Sequence, residues 1–579
     1  MKLKQLASAV ILATSAVTAV AVSPLATAAT YDLTLAPVQD KSFFNFAQSI
    51  DNTGTMVVVS ESEYNPPIDL SILDFENELF TDRFEDPEAV QQGVFSNADY
   101  QALYAYVVNG RSGSNGINIL IQSLATYRSY HGDTVTADLI PGFDVIDETF
   151  EDYTRSAYSQ VNDSVGGDFF VGAGSTPFFK VDYTDEDGNE FTYIVNDTLT
   201  QAFVEANGVT TALPPTMPGD TGINGFSEAF AINEPLQVAG WGSVALTEDY
   251  QTDIDECYDD ETRGDTPAEL CIYNLARSIT AGSYRRAVTW QLDAQGNVLS
   301  STRYGMVFEP AEDEDSTGYT STAYAINNNG IAVGTSHTGE RIIYTLPGGR
   351  AAYYANIVAA TFANGETTEL LPREENLSSS AVDINDDNWV VGTVLRENNG
   401  VARNQMFIYN IDSGEAEYPQ GFFQTAAVTP RAINNNGIVV GEGEYESDVQ
   451  TGRQLRAFMY DMNVGEFVDL NTLLTCEQRE QYTLVTAMDI NDNDEIIANA
   501  RYISTQRYIS GEEVLTDAGD TVETDRVVAV KLTPNSTGSI EQCDGVEEAP
   551  YERQGASASW YGIALLSLLA VFRRRVKNK

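Results

Sequence analysis

What most limits the fold of this chain is a short motif that returns along its length. Four copies are plain: Ala325–Gly334, Asp383–Gly392, Ala432–Gly441 and Asp489–Ala498. Each sets an Ile-Asn pair before a cluster of Asn, Asp or Gly and closes on a β-rich run. Weaker copies lie upstream at Ser49–Gly54, at Gln160–Asp163 with Val171-Gly172, and at Ala231–Asn233 with Val238–Gly240, which makes seven. A chain that repeats itself at long period folds as an array of equivalent units that bury their faces against one another.

Each copy reads as strand, tight turn, strand. The β-branched residues favour an extended chain, and the Asn, Asp and Gly residues tolerate the positive φ of a hairpin turn. The closing Gly marks a place too close for a side chain. A second element follows at Arg286–Trp290, Arg350–Tyr354 and Arg456–Tyr460, and in the last case a turn at Asn463–Gly465 leads into Glu466–Leu470. One unit thus supplies about four strands, the content of a propeller blade. The predicted fold is all-β, a β-propeller of about seven blades with six to eight as the range, spanning 30–545. The anchors Ile50, Val161, Ile232, Ile326, Ile384, Ile433 and Ile490 are unevenly spaced. The wide gaps therefore call for insertions. One, within 60–150, carries helical spacing over 96–130: Ser96 as N-cap with Asp99 three positions on, then Tyr100, Leu103, Tyr104 and Val107, and a second run at Ile117, Leu120, Ile121 and Leu124. Another, over 250–280, is acidic and holds two cysteines. A ring needs closure, and Tyr31–Leu35 pairing with Val527–Leu532 is the expected route.

The motif set resembles the HAF family of extracellular repeats, and more closely a group of secreted proteobacterial proteins built from them. The resemblance is strongest from Ile326 to Pro534 and weak before residue 220. It implies a secreted β-repeat protein, and it supplies no catalytic residues to transfer.

The two ends read as address signals. Lys2 and Lys4 precede an apolar stretch from Leu6 to Val22 that ends in small residues, the layout of a signal peptide over 1–28 cleaved after Ala28. At the other end a linker over 546–559 leads into the apolar run Trp560–Phe572 and the basic cluster Arg573, Arg574, Arg575. That arrangement is similar to the C-terminal sorting tails of Gram-negative surface proteins, without the Gly-Gly pair of their best-known form. It implies at least transient contact with the inner membrane through this hydrophobic C-terminal helix, with the bulk of the chain facing outward, on the cell surface or beyond it, and simple anchoring by the same transmembrane helix is the alternative.

Across the whole chain 32 basic residues face 85 acidic ones, a net of −53. Such a surface repels the phosphate backbone of nucleic acid, which binds through clustered Lys and Arg. It suits a soluble monomer in salty water. Four cysteines in an exported chain point to disulfides, with Cys257–Cys271 and Cys476–Cys543 as the favoured pairs.

Catalytic signatures are few. The two histidines, His131 and His337, rule out a histidine-rich metal site, and no His-Glu-x-x-His, Gly-x-Ser-x-Gly or P-loop is present. The acidic loops at 182–190, 383–388 and 489–495 carry oxygen atoms at the close spacing of calcium loops, with Asp185, Asp187 and Asn189 as candidate ligands. Turn geometry alone accounts for the same residues. No other cofactor is expected. The reading is a secreted or surface-associated propeller that binds a protein or polysaccharide without catalysis. The alternative is a polysaccharide hydrolase or lyase using carboxylates in the propeller funnel.

Overall fold

The computed structural model describes residues 30–543 apart from 111–121, 186, 218–220, 311–316, 346–348, 375, 399–400 and 446–452. The proposed signal peptide and C-terminal tail lie outside the described residues. Seven four-stranded antiparallel sheets form a seven-bladed β-propeller. The inner strands, in blade order, are Ser42–Ile50, Ser159–Val165, Ser227–Ile232, Ser321–Ile326, Ser378–Ile384, Val428–Ile433 and Tyr482–Ile490. Closure follows the expected pairing. Thr30–Leu35 adds as the outermost strand of blade 7, antiparallel to Glu523–Asn535, with Leu33 opposite Leu532 and Leu35 opposite Val530.

A blade is a sheet with two faces to bury, and it buries them against its neighbours. Each of the seven interfaces has its own apolar cluster. Between blades 5 and 6, for example, Val391 and Ile408 meet Val428, Val439 and Phe458. The interface of blades 1 and 2 is the leanest, with five buried apolar side chains: Val57, Ile140, Val161, Phe170 and Phe203.

Every inner strand of blades 1 to 6 carries one register shift two residues beyond a buried Ala, Val or Pro, as between Ala323 and Ala325, and blade 7 carries the same shift between Ala487 and Asp489. The glycine of the motif lies against this bulge. A Cβ on Gly334 would fall 2.0 Å from the Thr322 carbonyl oxygen, and one on Gly392 2.1 Å from that of Ser380. The sequence pattern therefore records a close backbone approach.

The long insertions all enter at one place, between the second and third strands. Residues 64–126 do so in blade 1, 175–200 in blade 2, 247–282 in blade 3 and 506–522 in blade 7. In a sheet with alternating strand direction these connections share one face of the wheel, opposite the Asn-rich turns. They also join into a wall. Lys180 of the blade 2 hairpin pairs with Asp69 of the blade 1 insertion at 2.9 Å. Val195 of that hairpin packs on Leu270 and Tyr273 of blade 3, and Asn97 of blade 1 donates to Glu512 of blade 7 at 2.8 Å.

The first half of the expected helical hairpin is present. Asn97–Gly110 is a helix. Ser96 accepts from the Asp99 N–H at 3.1 Å and donates back to its carboxylate at 2.9 Å. Tyr100, Leu103 and Val107 are buried. Of the second run, Ile117, Leu120 and Ile121 lie outside the described residues, and Leu124 is in irregular chain. The cysteine-bearing insertion of blade 3 folds as helices Glu248–Tyr258 and Ala268–Ala276, joined by the Cys257–Cys271 bridge. The second bridge, Cys476–Cys543, ties the segment after the last strand to the link between blades 6 and 7. Among the described residues no helix is long and apolar enough to cross a membrane.

Candidate functional site

The Asn of each motif does more than permit a turn, which corrects the reading from turn geometry alone. Its carbonyl oxygen caps its own hairpin: Asn434 Oδ1 accepts from the N–H groups of Asn436 (3.1 Å) and Ile438 (2.9 Å). Its amide reaches the next blade. Asn233 donates to the Asn327 carbonyl (2.7 Å), Asn327 to Asn385 (3.0 Å), Asn385 to Asn434 (3.1 Å), Asn434 to Asn491 (3.0 Å) and Asn491 to Asp51 (2.9 Å). A second, exposed tier runs through Asn328, Asp386, Asn435, Asp492 and Asn52. This ladder occupies one face of the wheel from blade 3 round to blade 1, and it is a fastening.

Blade 2 lacks it, and its anchor is not Val161. The bulge between Val161 and Asp163 places Ser164 where the other blades have Ile and Val165 where they have Asn. Two carboxylates stand in: Asp51 accepts from the Gly167 N–H at 2.6 Å, and Asp163 from Ser49 Oγ and from the Ile232 N–H, both at 2.8 Å.

Asp163, Asp383 and Asp489 share one position on the inner strands of blades 2, 5 and 7. Only the axial channel brings these blades within range of each other's charge. Each aspartate accepts from the N–H of its own successor and of the next blade's inner strand, as Asp383 does from Ile384 (2.8 Å) and Ile433 (2.7 Å). Burial raises all three carboxyls, and the amide bonds oppose it. Asp163 is pushed up to about 7, with the Asp489 charge adding to burial. Asp383 is pushed up to about 8 and Asp489 to about 6. Asp383 and Asp489 thus belong to the channel and not to calcium-type turns. In the hairpin of blade 2, Asp185 accepts from the backbone and side-chain amides of Asn189, at 2.7 and 2.8 Å, which is a turn held by its own side chain. Among the described residues no group of three or more His, Cys, Asp or Glu side chains is set to hold a metal ion.

A cavity of about 520 Å³ opens on the insertion-bearing face between blades 7 and 1. Four chain segments build it. The link into blade 1 gives Asp40 and Lys41, and the end of the second strand gives Glu63 and Tyr64, followed by Pro66-Pro67. The link to blade 2 gives Phe150, Asp152 and Arg155, and the blade 7 hairpin gives Ser510 and Gly511. Phe95 and Tyr100 of the helical insertion form its roof. The Tyr100 hydroxyl donates to the Pro66 carbonyl at 2.6 Å, which fixes the helix over the cavity.

Its floor is a polar triad in which Glu63 and Tyr130 are buried and Arg155 is half-buried. The Tyr130 hydroxyl donates to Glu63 Oε1. Arg155 Nε lies 3.7 Å from Glu63 Oε2, and its terminal nitrogens reach Asp152 at 3.3 Å and the Tyr64 and Asn65 carbonyls at 3.4 and 3.3 Å. Burial, together with the Glu63 charge, pushes the Tyr130 phenol well above the ordinary tyrosine range, so it stays a proton donor at any physiological pH. Four of the nine non-glycine residues with positive φ among the described residues, Ser62, Asn65, Glu151 and Arg155, line this cavity or flank residues that do. Such backbone persists where its surroundings over-determine it. The cavity thus has a polar floor, an aromatic roof and Lys41 at the rim, 40% exposed.

Neither histidine belongs to this site. His131 packs against Phe170, ring centres 4.4 Å apart and planes tilted by 45°, and is held below its usual range by burial. His337 Nδ1 accepts from the Thr320 N–H at 3.0 Å.

The fold and its cavity define a seven-bladed, strand-closed propeller with a ligand-sized pocket on its elaborated face. Over residues 2–575 the chain matches the family of proteins of unknown function DUF3466, and it belongs to that family. Curated proteins contain no match. Solved structures with related architecture include an acylaminoacyl peptidase from Pyrococcus horikoshii, at 12% identity and a TM-score of 0.35, over 84% of this chain and 53% of that one. The β-propeller domain of the Trilobed protease from Pyrococcus furiosus is similar at 12% identity and a TM-score of 0.24, covering 64% and 92%. An oligogalacturonate lyase in complex with manganese is similar at 8% and 0.25, covering 64% and 93%. The chain spans about half the length of the peptidase. At these scores the likenesses carry no argument about activity.

Proposed function

We propose that this protein is an exported, surface-associated or extracellular binding module whose insertion-bearing face takes a saccharide, held in the cavity over Glu63, Tyr130 and Arg155. The observation that supports it most is this polar triad, with Glu63 and Tyr130 buried, under an aromatic roof in a cavity assembled from both ends of the chain. Aromatic faces stack on sugar rings, and a few buried, well-placed polar groups orient the hydroxyls. The signal-peptide layout, the disulfide pairs and the acidic surface support an address outside the cytoplasm.

The full secreted chain is to be titrated by calorimetry against hexasaccharides of laminarin, xylan and cellulose. At least one is expected to bind, with Glu63→Gln and Tyr100→Ala each weakening it about tenfold, or about 1.4 kcal/mol. Binding that both variants leave unchanged, or no binding across the set, overturns the reading.

One observation favours the enzymatic alternative: Asp40, Glu63 and Asp152 line one cavity beside Tyr64, Tyr100 and Tyr130. Release of reducing ends or unsaturated products from the bound oligosaccharide, lost in Glu63→Gln, decides for it.

A further inference from the structure

Blade 4 carries a feature that the cavity does not use. Its second and third strands, Ala332–Thr345 and Ala351–Ala363, are the longest of the wheel's hairpins. After the pair His337 and Ile357 the register shifts at a bulge, where Gly339 (φ 75°) lies against the Phe308 ring. Beyond it the strands continue for five more pairs, from Arg341 opposite Ala355 to Thr345 opposite Ala351. The result is a two-stranded ribbon that projects from the sheet.

Its two faces differ. Ile342, Tyr344, Ala352 and Tyr354 share one, where Ala352 is buried and the Tyr344 and Tyr354 rings stack at 5.5 Å. The other carries Arg341, Ile343 and Tyr353, with Ile343 62% and Tyr353 70% exposed and directly opposite each other. Nothing among the described residues covers that face. Arg350 stands at the start of the returning strand, also exposed.

The ribbon carries two cations on an acidic surface. Acids outnumber bases 85 to 32, so a cation finds a carboxylate easily. Arg155, Arg373, Arg403, Arg431, Arg453, Arg456, Arg501 and Arg507 all do. Arg341 and Arg350 meet no carboxylate among the described residues. Four steps of about 3.4 Å set Arg350 roughly 14 Å beyond the bulge, while Arg341 stands at the root of the ribbon. That exceeds the Debye length of ~8 Å at physiological salt, so the field of the acidic body is largely screened at Arg350.

We propose that this ribbon is a docking finger for a carboxylated polysaccharide, Tyr353 stacking on a sugar ring and Arg341 and Arg350 pairing with its carboxylates. The guanidinium fork matches a carboxylate with two parallel hydrogen bonds. The size of the face selects a saccharide over a protein. A handful of residues falls far short of the 20–30 per side of a stable protein interface, while one aromatic platform and two ion pairs suffice for a chain that binds by many repeats. The site lies on a different blade from the cavity and does not depend on it.

The test is affinity electrophoresis of the full secreted chain at 0.15 M salt through gels holding alginate, neutral dextran or dextran sulfate. Retardation by alginate and not by dextran is expected, with at least a tenfold loss in Arg341→Gln/Arg350→Gln and in Tyr353→Ser, and none in Glu63→Gln. Unchanged unfolding midpoints of the ribbon variants separate lost binding from lost folding. Absence of retardation by alginate overturns the proposal. So does retardation that Tyr353→Ser leaves intact, or dextran sulfate held as firmly by Tyr353→Ser as by the native chain, either of which marks plain ion exchange. Loss of alginate binding in Glu63→Gln alone moves it to the cavity.

Discussion

Replacing Asn434 with alanine is expected to lower the unfolding free energy by about 3 kcal/mol, because it leaves one carbonyl and two turn amides unsatisfied, at about 1–3 kcal/mol per buried group. Asn434 is 4% exposed. Its amide serves the Asn491 carbonyl and the Asp494 carboxylate at 3.0 and 2.8 Å, and its oxygen takes the N–H groups of Asn436 and Ile438. No water can replace it without opening the seam between blades 6 and 7. Asn434→Asp should be equally harmful, since it deletes the donor and sets a second charge beside Asp494. The outer tier supplies the control. Asn435 makes bonds of similar length to Asp386 and Asp492, but in solvent, so Asn435→Ala should cost under about 1 kcal/mol. Urea titrations of the three variants decide it. Equal losses at 434 and 435 would mean that the inner ladder is not the fastening described.

Stability is also expected to fall as pH rises, the reverse of common acid denaturation. Glu205 lies on the third strand of blade 2, cross-strand from Phe170, on the face turned to blade 1. It is 5% exposed, its Oε2 has no hydrogen-bond partner, and burial pushes it up to about 7. Across the Phe170 ring stands His131, whose own burial favours its neutral form and whose charged neighbours are Asp138 and Asp168. No cation there compensates Glu205. Below about pH 4 the folded and unfolded chains both hold its proton, and stability is full. As pH rises the unfolded chain ionises first, and the folded chain follows through about 7 at the expense of burying a charge. The channel aspartates act in the same direction, each losing its contribution as pH climbs through about 6 to 8. Each pH unit by which a carboxyl is displaced is worth about 1.4 kcal/mol. Glu205→Gln should therefore add about 3 kcal/mol at pH 8.5 and almost nothing near pH 4. Thermal unfolding of both chains from pH 4 to 8.5 measures this. Parallel profiles would show that Glu205 is solvated or paired.

The repeat made the wheel legible because its spacing is enforced by geometry. Bulge, glycine and Ile-Asn recur wherever one blade must latch to the next, so strand pairing and ring closure could be read from them. Blade 2 escaped for the same reason. Without the latch it has no Ile-Asn at the working position, and Val161-Asn162 imitates one three residues early. The cavity left no trace, since Lys41, Glu63, Arg155 and Gly511 are neighbours only after closure. Asp383 and Asp489 were visible as residues preceding Ile. That they face an axis shared with Asp163 follows from the bulge, which no linear pattern reports.

The fastening and the insertions occupy opposite rims, which has a practical consequence. The second and third strands of blades 5 and 6, Trp389–Asn398 with Val401–Asn410 and Ile438–Glu444 with Leu455–Asp461, end on the same rim as the insertions and are mounts for added loops. A foreign loop grafted there changes what the wheel displays while leaving every spoke-to-spoke rivet untouched.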